Sequence, residues 1–76
     1  MPKKRTQNEK IMDWLTEHGA ITPREAMMYL NIYRLAARIG ELREKLGHNA
    51  ITTDVATGPS GATYARYVYH ADHVIN

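Results

Sequence analysis

Four residues in the stretch LNIYRLAARIGELREKLG, residues 30–47, have the types and spacing to do chemistry: Tyr33, Arg34, Ala37 and Arg38. An arginine carries a planar fork of donors. That fork can grip two acceptors at once, on a phosphate or on the O6 and N7 edge of guanine. Arginines four residues apart share one side of a helix, so both forks can reach the same partner. Ala37 keeps that side low, which helps a helix entering a groove. Tyr33 adds a hydroxyl that can donate to a phosphate and a ring that can touch a thymine methyl. The arrangement works only if the other side of the helix is hidden. Leu35, Ile39, Leu42 and Leu46 recur at helical spacing and form that buried stripe.

Other groups could hold phosphates around this centre. Lys3, Lys4 and Arg5 make a basic N-terminal arm. Such an arm either lies along phosphates or enters a minor groove, as homeodomain arms do, or it is a solubilising end. Thr22 and Arg24 open a helix, where backbone N–H groups and the helix dipole favour an anion. Thr22 is needed as a cap in either case. Ser60 sits in a tight loop between two strands, with Thr57 and Thr63 as further hydroxyls. Arg66 points away from the core and either reaches the backbone or blocks strand addition at a sheet edge. Arg43 and Lys45 come late in their helix and read as solvent or dipole partners.

Other chemistries find little support. There is no cysteine, so disulfides and thiolate zinc sites are excluded. His70, Asp72 and His73 in HADH have metal-ligating types but no third well-placed group, and no metal is expected. Asp13 and Glu17 stand four apart with no pocket to tune them for acid–base work. No glycine-rich phosphate loop and no nucleophile beside a base is present. Neither enzymatic activity nor a cofactor is expected. No apolar run approaches the ~18 residues of a membrane span, and MPKKRTQNEK lacks the apolar stretch of a secretory signal. The chain reads as a complete small cytoplasmic protein.

The elements that must position these residues can be read in order. With 76 residues the chain is one domain, burying only about 60% of its unfolded surface. TQNE is a capping box that starts a first helix at Thr6, and Gly19 ends it. Ile11, Trp14, Leu15 and His18 share one face of it, with Met12 at the border. Ala20 and Ile21 suit a very short strand. TPRE carries a cap, a proline at the first helical position and a closing glutamate, and starts a second helix over 23–30. Its inward residues are Ala26, Met27 and Leu30. Met28 and Tyr29 are more exposed and could meet a partner. Asn31 suits a left-handed turn, and Ile32 plugs the corner before a third helix over about 33–46, stopped by Gly47. From Ala50 the period changes to two. PSG is a three-residue hairpin loop with Gly61 left-handed. It pairs Val55 with Ala65, Thr53 with Tyr67 and Ile51 with Tyr69, and that face is expected to turn inward. HADHVIN is expected to fray.

Three helices, a tight turn before the third and a C-terminal two-stranded β-hairpin make an α+β, winged helix-turn-helix plan. The spans are a basic arm over 1–8, the domain over 9–69 and a tail over 70–76. GAITPREAMMYLNIYRLAARIGELREKLGHNAITT, and a wing ending in ARYVY, resemble the small winged helix-turn-helix domains of phages, prophages and bacterial mobile elements. IYRLAARIGELR is the most specific part. Asn31 stands where such turns often carry glycine. The resemblance implies DNA binding in a regulatory or excision role.

The residues themselves point the same way. The third helix would enter the major groove with Tyr33, Arg34, Ala37 and Arg38 nearest the bases. Thr22, Arg24, Ser60, Arg66 and the arm residues Lys3, Lys4 and Arg5 would hold phosphates. The expected partner is double-stranded DNA, bound by a homodimer or by a cooperative array. The rival expectation is a phage-type interaction module or inhibitor that docks on a host protein complex, since fold alone does not decide function.

Overall fold

Two capping boxes set the frame. The computed structural model describes residues 6–74, so Lys3, Lys4 and Arg5 lie outside the described residues. Thr6 accepts from the Glu9 N–H while Glu9 returns to the Thr6 N–H, and α1 runs Gln7–His18. Gly19 then turns left-handed at φ 84°. Strand β1, Ala20–Ile21, leads into Thr22, which caps α2, Pro23–Leu30, in the same reciprocal way. Asn31 takes φ 59° and ψ 38°, the left-handed turn its type allows. Helix α3 is Leu35–Leu46, and the hairpin is β2, Ile51–Thr57, with β3, Thr63–Tyr69.

The hairpin register is the one its loop length requires. Ile51 faces Tyr69, Thr53 faces Tyr67 and Val55 faces Ala65. Gly61 sits at φ 86° and donates to the Gly58 carbonyl at 3.0 Å, closing the tight turn. The sheet has three strands rather than two. β1 pairs antiparallel with β3, Ala20 opposite Val68 and Ile21 opposite Tyr67, giving the order β1-β3-β2. Two residues suffice because Ile21 is fully buried and its neighbours α1 and α2 fix it from both ends.

The core is Ile11, Leu15, Ile21, Ala26, Ile32, Leu35, Ile39, Leu42, Ile51 and Tyr67. Every inward residue assigned to the first two turns of α3 is in it. Ile32 is 1% exposed and fills the corner between α2 and α3, as its position suggests.

Five expectations need correction. Helix α3 begins at Leu35 rather than Tyr33. Arg34 is its cap residue, at φ −118° and ψ 56°, with no side-chain cap bond. Met27 is 46% exposed rather than inward, because only Ala26 and, in part, Leu30 meet the core from α2. The inward face of the hairpin is buried only at its base. Val55 is 76% exposed since the strands project beyond the helices. Arg43 is no mere dipole partner: its Nε donates to the Ile51 carbonyl at 2.8 Å and its Nη2 to Thr53 Oγ1 at 2.6 Å. Its guanidinium also lies 5.9 Å from the Tyr67 ring centre, so it ties α3 to the hairpin. The start of the tail is ordered too. His70 N–H donates to the Ala50 carbonyl at 2.7 Å, and a 3₁₀ turn follows over Ala71–His73.

Gly40 lies mid-helix in α3, exposed, with nothing within 4 Å of where a Cβ would stand. Gly40→Ala is therefore expected to stabilise the fold by about 0.5–1 kcal/mol through the lower entropy cost of ordering alanine in a helix. Thermal unfolding followed by circular dichroism checks it, with a rise of roughly 2–8 °C expected. An unchanged or lower midpoint would mean that the helix does not leave this position free.

Candidate nucleic-acid interface

The first turn of α3 presents the residues singled out for contact. Arg34 and Ala37 are exposed, over the hidden stripe of Leu35, Ile39 and Leu42. The Arg34 carbonyl accepts the Arg38 N–H at 3.3 Å, so both arginines still belong to one turn although Arg34 stands at its edge. Arg38 is more constrained. Its Nη1 lies 3.3 Å from Glu41 Oε1, with about a third of the side chain exposed. Asn8 of α1 donates to the same Glu41 oxygen at 3.1 Å. The Arg38 Nε is buried with no hydrogen-bond partner. A surface pair of this kind is worth at most about 1 kcal/mol, so it orients Arg38 without locking it.

Tyr33 goes elsewhere. It lines a groove of about 820 Å³ between α2 and the hairpin, and its hydroxyl donates to Asn31 Oδ1 at 2.8 Å. Thr22, Arg24 and Ser60 line the same groove, so four residues chosen separately from the sequence meet there. Arg34, Ala37, Arg38 and Arg66 are not among its walls. Met27, Met28 and Tyr64 add large apolar groups to its lining. Tyr64 was not singled out by sequence. The available signal was an aromatic ring on the hairpin face opposite the core.

The phosphate candidates differ in freedom. The Thr22 hydroxyl accepts the Glu25 N–H and also donates to Glu25 Oε1, so its capping duty accounts for it fully. Arg24 is exposed, and its Nε meets only the Met28 sulfur at 3.4 Å. Ser60 is exposed at the hairpin tip. Arg66 is exposed opposite Asp54 across the hairpin, a pairing of opposite charges that suits neighbouring strands. At the other end, His70 Nε2 and Thr52 Oγ1 are 2.8 Å apart. Among the described residues no three metal-capable side chains cluster, and no helix is long and apolar enough to cross a membrane.

A family model for the winged helix-turn-helix domain matches residues 6–71, a span that takes in every helix and strand from α1 to β3. The chain belongs to this family. No curated protein matches it, and no solved structure does. In this winged helix-turn-helix domain, α2 and α3 with the Asn31 turn are the helix-turn-helix pair, and β2–β3 is the wing. Membership supports DNA as the partner. Winged helix-turn-helix domains are typically without catalytic activity, in keeping with the chemistry read from these residues.

Proposed function

We propose that the protein binds double-stranded DNA with sequence preference, acting as a small transcriptional regulator or excision-type accessory factor of a phage or mobile element. The observation that carries this reading is the first turn of α3. Arg34 and Ala37 stand free, with Arg38 beside them, on a helix whose other side is wholly spent on the core. Ala36, Ala37 and Gly40 leave the outer face low enough for close approach to base edges. Arg24, Ser60 and Arg66, all exposed, would supply groups for phosphates, and the α2 N-terminus at Thr22 would add its dipole. The arm residues Lys3, Lys4 and Arg5 would add contacts. A single domain of this size makes few base contacts, so useful specificity calls for a homodimer or an array of copies along the site.

One observation favours a second reading, an interaction module for a host protein. Met27, Met28 and Tyr29 are all exposed in a row on α2, and exposed large apolar groups in a group mark contact surfaces. Selection from a random duplex pool at physiological salt, followed by competition with unrelated DNA, decides between the two. A DNA reader enriches one motif, and its affinity falls steeply with salt. An interaction module yields weak binding with no motif, and that outcome would remove the DNA reading.

A further inference from the structure

The groove between α2 and the wing combines exposed aromatic rings with a positive charge. Tyr33 is 70% exposed and Tyr64 43%, and both line it. Neither ring hangs loose. Tyr33 is held through its hydroxyl by Asn31 at 2.8 Å. Tyr64 lies over Gly58, where an added Cβ would stand 3.7 Å from the ring. Holding a large ring in water brings no packing benefit, but it prepares a flat surface for another flat group. The charge at the groove is one-sided: Arg24 lines it, and no carboxylate does. Among the described residues Arg24 pairs with no acid. The occupant that fits is flat and apolar on its face, and anionic at one end.

We propose that this groove takes one unpaired nucleotide of the bound DNA, its base against Tyr33 and Tyr64 and its phosphate toward Arg24. Bases inside a duplex are stacked on each other and present only their edges to a protein. An unpaired base offers its face, and every base has one, so stacking on aromatic rings is strong and tolerant of sequence. The preferred substrate is then a duplex with a single-stranded extension or gap beside the α3 site, rather than an uninterrupted duplex. This rests on the DNA reading above and adds a substrate class to it.

Fluorescence anisotropy with three probes tests it: a blunt duplex carrying the selected motif, the same duplex with a five-nucleotide single-stranded extension, and that single strand alone. The extended duplex is expected to bind about tenfold tighter than the blunt one, stacking of one base being worth roughly five- to a hundredfold. Tyr64→Leu should remove most of that gain while leaving blunt-duplex affinity within about twofold, and Tyr33→Leu should weaken the extended duplex more than the blunt one. Both residues are exposed, so thermal unfolding should confirm that the variants stay folded. In addition, 5-iodouracil at the first unpaired position should cross-link under light to Tyr33 or Tyr64 and not to Tyr29, which stacks on Trp14 with ring centres 5.3 Å apart. If the blunt duplex binds and the extension adds nothing, this inference falls and the DNA reading stands. If the tyrosine variants weaken both probes equally, the rings serve the duplex and the inference also falls. If no probe binds, both fall together.

Discussion

Alanine at both Arg34 and Arg38 is expected to erase most of the preference for the selected duplex over unrelated DNA. A good bidentate arginine–guanine contact is worth about 1–3 kcal/mol of discrimination, so two independent contacts give roughly 2–6 kcal/mol. The two will not contribute equally. Arg34 is exposed and has no side-chain cap bond to break, so it brings its full contact. Arg38 must first leave Glu41, 3.3 Å away, which lowers its share by up to about 1 kcal/mol. Competition anisotropy on both single variants and the double variant separates these terms. The salt dependence gives a second check. Loss of a base contact relaxes specificity, whereas loss of a phosphate contact weakens all sequences alike and lowers the salt slope by about one. Unchanged preference in the double variant would show that α3 does not read the bases. Stability should move little: Arg34 is exposed, and the half-buried Arg38 gives up a pair with Glu41 worth at most about 1 kcal/mol.

The parts of the fold that could be read in the sequence are those fixed by local chemistry. Both capping boxes, the left-handed Asn31 and the PSG turn depend on residues at most three or four positions apart, and the structure has them all. The hairpin register followed because a loop of given length leaves one alignment. The stripe of Leu35, Ile39 and Leu42 followed from period alone. What could not be read depends on how far elements project. Val55 has the right alternation to be inward, yet nothing packs over the wing at that height. Met27 has the right spacing on α2, yet this short helix presents a narrow face to the core, and Ala26 fills it.

The site shows the same division. Arg34 and Ala37 are exposed because their helix partners are buried, a local inference. Arg43 escaped because its partners, Ile51 and Thr53, lie eight and ten residues away and across a turn. No periodicity marks an arginine that will reach a neighbouring strand. The meeting of Tyr33, Arg24 and Tyr64 on one groove is likewise tertiary, joining residues from the α2–α3 turn, the start of α2 and the far strand of the wing. A contact surface assembled from three elements leaves no signature within any one of them.

Ile39→Ala carries the largest expected effect on stability and separates folding from reading on one helix. Ile39 is 0% exposed at the centre of the core, between Leu35 and Leu42 on the same stripe. Truncating a buried isoleucine costs about 2–5 kcal/mol, through lost transfer energy and the cavity left behind. A chain of this length holds on the order of 4–11 kcal/mol in all. The variant should therefore unfold some 10–30 °C lower, with a clear drop in the urea midpoint at unchanged slope. Consecutive helical residues point about 100° apart, so this core position adjoins Arg38 in sequence while the two serve different partners. Below its melting temperature the variant should keep its preference among duplexes. Saturating DNA should also recover part of the loss, because a ligand bound only by the folded state stabilises it. The Arg34/Arg38 double variant should do the reverse, melting close to normally and gaining much less from DNA at the same concentration. An Ile39→Ala chain that melted within two or three degrees of the unaltered protein would mean that the buried stripe does not anchor α3. The outward face that the arginines occupy would then have no fixed direction.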